Sequence, residues 1–152
     1  FSAYRVRIRN IYPGRTEPNL LAETNHYVRL YNKRVVRFRD SAVHDTVETG
    51  TRRVGRLRAP ISHFSGRSFE HIERKYDDYT TLQAQVLRKP IWWLLLRLPF
   101  EYPSAFVRFF ILRGHFTGGR DGLRVSRIAA RARMNRLRKM LAAHGGVWAT
   151  FQ

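Results

Sequence analysis

Apolar and polar residues alternate at the start of the chain, where Tyr4, Val6 and Ile8 are interleaved with Arg5, Arg7 and Arg9. A period of two is that of a strand with one covered and one wet face, so a strand is predicted over residues 4–11, ended by Pro13-Gly14. Residues 27–31 and 34–38 read as a strand pair turning at Asn32-Lys33, and residues 52–57 and 59–64 as a second extended pair. Residues 1–66 are therefore expected to be β-rich.

After Gly66 the period changes. Ser68, with Glu70 and Glu73 following, is a helix start, and with no Gly or Pro before Pro90 it predicts a helix from Ser68 to about residue 88. Residues 91–112 are strongly apolar, but Arg97, Glu101 and Arg108 interrupt them and Pro99 and Pro103 break their middle. A bilayer crossing needs about 20 nearly uncharged residues, so this stretch reads instead as two short helices. They either lie at a membrane surface, with Trp92 and Trp93 at headgroup depth, or pack into a core. Residues 123–144 form a further predicted helix, in which a step of about 100° per residue puts Arg124, Arg127, Arg131 and Arg138 on one stripe. That stripe suits anionic lipid, nucleic acid or plain solvation. The pattern divides the chain into a β-rich part, 1–66, and a helical part, 67–152: α+β taken by itself.

Charge narrows the partners. Lys and Arg number 29 against 11 Asp and Glu, a formal net charge of +18, carried mostly by arginine. Guanidinium groups bind phosphate in a bidentate manner and stack on flat rings, so nucleic acid, anionic headgroups and sugar-nucleotide pyrophosphates are all admissible. The arginines are scattered over every element, and residues 91–112 are more apolar than a phosphate-tracking surface needs; both observations argue against a nucleic-acid partner. With no cysteine there is no disulfide frame, thiolate metal site or cysteine nucleophile. The chain begins at Phe1 without a signal-type leader and is expected to be cut from something longer.

Four constellations can carry chemistry. Val43-His44-Asp45 puts a carboxylate beside an imidazole after a strand pair, where a general base can sit, or a simple turn. Ile61-Ser62-His63 ends a strand with an imidazole, either a structural histidine or one ligand of a divalent metal whose other ligands lie elsewhere. Lys75, Tyr76 and Tyr79 share a helix, with tyrosines three apart that either fill a core or stack on a sugar ring. The run Phe116-Thr-Gly-Gly-Arg-Asp-Gly122 allows a tight backbone path before the last helix. No P-loop, zinc-finger spacing or Gly-x-Ser-x-Gly elbow accompanies them.

Taken in order, Arg29-Leu30-Tyr31, Val43-His44-Asp45, Ile61-Ser62-His63, Lys75 with Tyr79, Pro103 with Phe106 and Arg108, and the glycine run resemble the C-terminal half of family-two glycosyltransferases of the lipopolysaccharide-core glucosyltransferase type. The resemblance covers almost the whole chain. It implies the C-terminal part of a GT-A, Rossmann-like α/β fold and inverting transfer from a nucleoside-diphosphate sugar to a lipid-linked or glycolipid acceptor. It further implies a divalent cation, Mg2+ or Mn2+, held mainly by an Asp-x-Asp motif upstream. On the same resemblance Asp45, beside His44, stands at the position of the base, His63 at a metal or pyrophosphate contact, and Arg29 near the diphosphate. Lys75, Tyr79, Trp92 and Trp93 fall on the acceptor or membrane side, and the enzyme is peripheral on the cytoplasmic face of a bacterial inner membrane. Two positions depart from the family pattern: Asp45 replaces its usual Glu, and Gly118 its usual Asp. The rival readings are a basic nucleic-acid-binding module and a peripheral membrane protein without enzymatic activity.

Overall fold

The structure, a computed structural model, describes residues 1–21, 24–38, 47–64, 66–87 and 89–144. Among the described residues five strands come first: β1 (Ala3–Ile11), β2 (Thr24–Tyr31), β3 (Arg37–Phe38), β4 (Val47–Glu48) and β5 (Val54–Phe64). Then follow α1 (Phe69–Val86), α2 (Ile91–Val107), a π-helical turn (Arg108–Leu112), a 3-10 turn (His115–Gly118) and α3 (Gly119–His144). The architecture is mixed, with the strands preceding the helices.

β1 forms as its alternation predicts and becomes the centre of a three-stranded sheet of order β2-β1-β5. Its end at Pro13-Gly14 is a tight turn, with the Arg15 amide donating to the Tyr12 carbonyl at 3.0 Å and Gly14 at φ 78°. Two expected pairings differ. β2 does not fold back on residues 34–38; it pairs antiparallel with β1, Arg9 opposite Thr24 and Ala3 opposite Tyr31. Residues 32–36 are used in a turn, where the Val35 and Val36 amides both bond to the Asn32 carbonyl, leaving only Arg37 and Phe38 to pair with β4. Residues 54–64, expected as parts of two strands, form the single strand β5, parallel to β1, with Pro60 inside it. Proline is tolerated there because β5 is an edge strand and the register is irregular between Arg56 and Pro60.

α1 starts at the predicted cap: Ser68 Oγ accepts from the His71 amide at 3.1 Å. α2 is one continuous helix rather than two. Pro99 and Pro103 are four residues apart and exposed, so the carbonyls they leave without an amide partner lie toward water, while Leu94, Glu101 and Ala105 are buried on the other side. The helices pack around Ala84, Leu94, Leu137 and Met140, with Leu87, Leu98 and Leu141 against them. Each such large side chain removed from water contributes about 1.5–3 kcal/mol. Small residues on α3, among them Ser126, Ala129 and Ala130, are fully covered and let its neighbours approach closely. Arg124, Arg127, Arg131 and Arg138 lie on the exposed side of α3, as the helical stripe predicts.

Residues 12–21 join the sheet to the helices. Asn19 Nδ2 donates to Thr117 Oγ1 at 2.8 Å, and Arg15 pairs with Asp121 at 2.7 Å. The glycine run makes this junction possible, because a Cβ on Gly118 would collide with the Tyr12 ring and one on Gly122 with the His115 carbonyl.

Candidate functional site

Because β1 and β5 run parallel, their C-terminal ends lie at the same end of the sheet, with Asn10 opposite His63 and Ile11 opposite Phe64. In open parallel α/β sheets ligands bind beyond the carboxyl ends of the strands, and the parallel pair β1 and β5 offers an end of that kind. Asn10 and Tyr12 lead into a cleft of about 190 Å³ there, walled by Ile72, Lys75, Tyr76 and Tyr79 of α1, by Phe109 and Arg113, and by His115 and Val125. The α1 residues recur every three or four positions, which puts them on one face of the helix. His63 stands beside the cleft: its Nδ1 lies 3.0 Å from Asn10 Oδ1. With the Asn10 carbonyl oxygen accepting, Nδ1 carries the proton and the Nε2 lone pair is left for another partner.

The cleft floor is a hydrogen-bonded ring pair. Tyr12 OH lies 2.6 Å from His115 Nδ1, and the rings stack with centroids 5.8 Å apart. Burial, reinforced by the charge of Arg113, pushes His115 down to about 4, so at neutral pH its Nδ1 accepts the tyrosine proton. Burial, with Asp121 adding to it, pushes Tyr12 up to about 12. Both rings are thus neutral, and the pair latches the 3-10 turn to the end of β1 while shaping the cleft.

Four residues singled out from sequence, His63, Lys75, Tyr76 and Tyr79, are brought together at this end of the molecule. Arg29 is not. It is exposed on β2, at the opposite edge of the sheet and beside the N-terminal end of β1, with its guanidinium 5.3 Å from the Tyr27 ring. Trp92 and Trp93 open α2, edge to face at 5.8 Å, and both are exposed. His44 and Asp45 lie outside the described residues. Among the described residues no three His, Asp or Glu side chains are grouped to hold a metal ion.

Sequence reasoning passed over Asn10, Tyr12, Arg113 and His115. The available signal was a bulky ring at each end of the glycine-lined junction: Tyr12 just before Pro13-Gly14, and His115 just before the glycine run. Around the helices, α2 and the π-helical turn present an outward apolar stripe, Trp92, Leu96, Phe100, Val107 and Ile111, every one of them exposed. Among the described residues no helix is long and apolar enough to cross a membrane.

Over 149 residues the chain is 33% identical to an uncharacterized glycosyltransferase of Rickettsia prowazekii, a match covering 92% of this chain and 51% of the relative. Proteins named uncharacterized glycosyltransferase in Rickettsia bellii and Rickettsia typhi are each 30% identical, again over 92% of this chain and 51% of the relative. No protein family's sequence profile matches the chain, and no solved structure matches it. The chain spans about half the length of the curated relatives it matches. Along nearly its whole length it is similar to proteins named as glycosyltransferases.

Proposed function

We propose that this chain is the acceptor-side part of a family-two glycosyltransferase of GT-A type, one that moves a sugar from a nucleoside-diphosphate donor to a lipid-linked or lipopolysaccharide-type glycan with inversion. The observation that carries this reading is the similarity, over 92% of the chain, to relatives named glycosyltransferases. The cleft at the carboxyl ends of two parallel strands, with Lys75, Tyr79 and His63 at it, is compatible with that role.

On this reading the reaction is a single displacement. Asp45 takes the proton of the acceptor hydroxyl, and the hydroxyl oxygen attacks the anomeric carbon from the side opposite the nucleotide. The bond to the diphosphate breaks with its electron pair, and the diphosphate leaves as the free anion. Arg29 is retained as a candidate diphosphate contact only if the rest of the enzyme brings the donor to the β2 edge. Tyr79 and Tyr76 offer flat faces to a sugar ring, and Lys75 offers a cation to its hydroxyls or to a phosphate. A divalent cation, Mg2+ or Mn2+, supplies electrostatic stabilisation of the departing diphosphate when bound. Among the described residues His63 would offer it one ligand, through Nε2, and further ligands would come from outside them.

The outward stripe of α2 is assigned to the anionic surface of the bacterial inner membrane on its cytoplasmic face. Trp92 and Phe100 are 64% and 65% exposed, Arg97 and Arg108 interrupt the stripe, and the net charge is +18, a combination suited to a helix lying in the headgroup region.

Assaying the longest open reading frame that contains this segment, for nucleoside diphosphate release from sugar nucleotides in the presence of bacterial glycolipid, tests the reading. Replacing Asp45 by Asn is expected to lower kcat by about 10²–10⁴ with folding unchanged. Near-normal turnover in that variant rejects the base assignment, and no release with any donor rejects the transferase.

A further inference from the structure

α2 and α3 meet over a buried carboxylate. Glu101 is 3% exposed, and Arg97, one turn earlier on α2, lies 2.5 Å from its Oε2. From α3, Arg133 and Arg136 reach its Oε1 at 3.6 and 3.8 Å. Arg133 is held below the usual guanidinium range first by burial, against the opposing pull of Glu101, and then by the positive charges of Arg108, Arg97 and Arg113. Three guanidinium groups therefore crowd one carboxylate, and the charges of Arg108 and Arg113 are felt at Arg133. Arg97 donates to Glu101 Oε2 and Arg136 to Gln83 Oε1, but among the described residues the buried Glu101 Oε1 and Arg133 Nε, 3.6 Å apart, have no hydrogen-bond partner.

Excess like charge at a half-buried spot is destabilising unless an anion completes it. The guanidinium fork matches phosphate, to which it donates two parallel hydrogen bonds. The cluster is compact, built where two helices cross, and so takes one small anion instead of tracking a polyanion along a groove. We propose that this arginine cluster is a phosphate-binding site, and that it holds a phosphate group of the acceptor. The second clause rests on the transferase reading; the first does not. Arg113, whose charge is felt at Arg133, also walls the cleft at the strand ends. A phosphate anchored among Arg97, Arg108 and Arg133 tethers its glycan beside that cleft. Phosphate on a sugar and phosphate on a lipid headgroup offer the same chemistry.

Arg97 sits 5.9 Å from the centre of the Trp93 ring, which supplies a reporter. The chain is titrated with pyrophosphate and with glucose 6-phosphate at fixed ionic strength, following tryptophan fluorescence, with chloride and sulfate as controls. Saturable change with both phosphates is expected. Arg108→Ala, at an exposed residue, weakens binding about 10-fold, and Glu101→Gln, which removes the competing charge, tightens it about 3- to 10-fold. Circular dichroism reports whether each variant folds, and Arg108→Ala decides alone if Glu101→Gln does not. A merely structural cluster would change stability in these variants and leave affinity untouched. No saturable response, an equal response to sulfate, or an unchanged affinity in Arg108→Ala overturns the proposal. Vesicles separate the sources: preference for phosphatidic acid over phosphatidylglycerol at matched surface charge assigns the phosphate to a lipid headgroup, and sugar-phosphate binding without that preference assigns it to the glycan. None of these measurements needs sugar transfer, so the site and the transferase reading fail separately.

Discussion

The helices of this chain bury an apolar core between them while leaving the outer stripe of α2 exposed, whereas the sheet covers little beyond its central strand. Leu94, Ile128, Leu137 and Met140 are buried between helices that are also tied by Lys139 to Asp77 at 2.6 Å and by Arg124 to Glu70 at 2.5 Å. In the sheet only the central strand is well covered, through Ala3, Val6 and Ile11, while Tyr27, Leu30, Leu57, Ile61 and Phe64 on the two edge strands are exposed. A long edge strand with apolar residues in water is a surface that proteins ordinarily pair or cover. The contrast fits the reading of this chain as part of a larger transferase, in which residues outside the chain would complete the sheet, and it predicts that equal chemical changes in the two parts have unequal effects.

The largest effect is expected where the parts are joined. Gly122→Val drives a side chain into the backbone carbonyl of His115, which cannot swing aside as a side chain can, and the chain is expected not to reach its folded state by circular dichroism. Next is Leu137→Ala in the helical core, at 3% exposure, expected to cost about 3 kcal/mol in urea denaturation. Tyr12→Phe follows. It leaves His115 Nδ1 without its donor and is expected to cost about 1–2 kcal/mol.

The same latch gives a pH dependence with a definite sign. Folded His115 titrates at about 4, below its ordinary 6.5, so between those values the unfolded chain binds a proton that the folded chain does not. Stability from this group is present above about 6.5 and is lost as pH falls toward 4. Thermal melts across that window are expected to show the drop, and His115→Gln to flatten it.

What was legible in the sequence was local. The alternation of β1, the Pro13-Gly14 turn, the Ser68 cap and the arginine stripe of α3 each depend on neighbours within a few residues, and each formed as expected. Pairings and breaks decided at a distance were not. Residues 27–31 and 34–38 look equally extended, and nothing in their pattern says that β2 prefers β1. Pro99 and Pro103 look like interruptions, yet packing of α2 on α3 carries the helix through both. The site divides similarly. His63, Lys75 and Tyr79 were visible as residue types in context, whereas the Tyr12–His115 pair joins positions 103 apart and has no local signature.

The smallest effect is the most discriminating. Ile61 is 51% exposed on β5, opposite Ile8 of β1, so Ile61→Ser removes little buried surface and should change the stability of this chain by no more than about 0.5 kcal/mol. If strands from elsewhere cover that face in the longest open reading frame containing the segment, the same substitution there loses a buried side chain and costs about 2 kcal/mol. A null effect in both contexts means that the face stays wet and the incomplete-sheet reading falls. A large loss in this chain alone means that β5 is already packed, and the contrast between sheet and helices disappears. Only a cost that emerges in the longer protein supports both the contrast and the proposal that the sheet is completed by residues outside this chain.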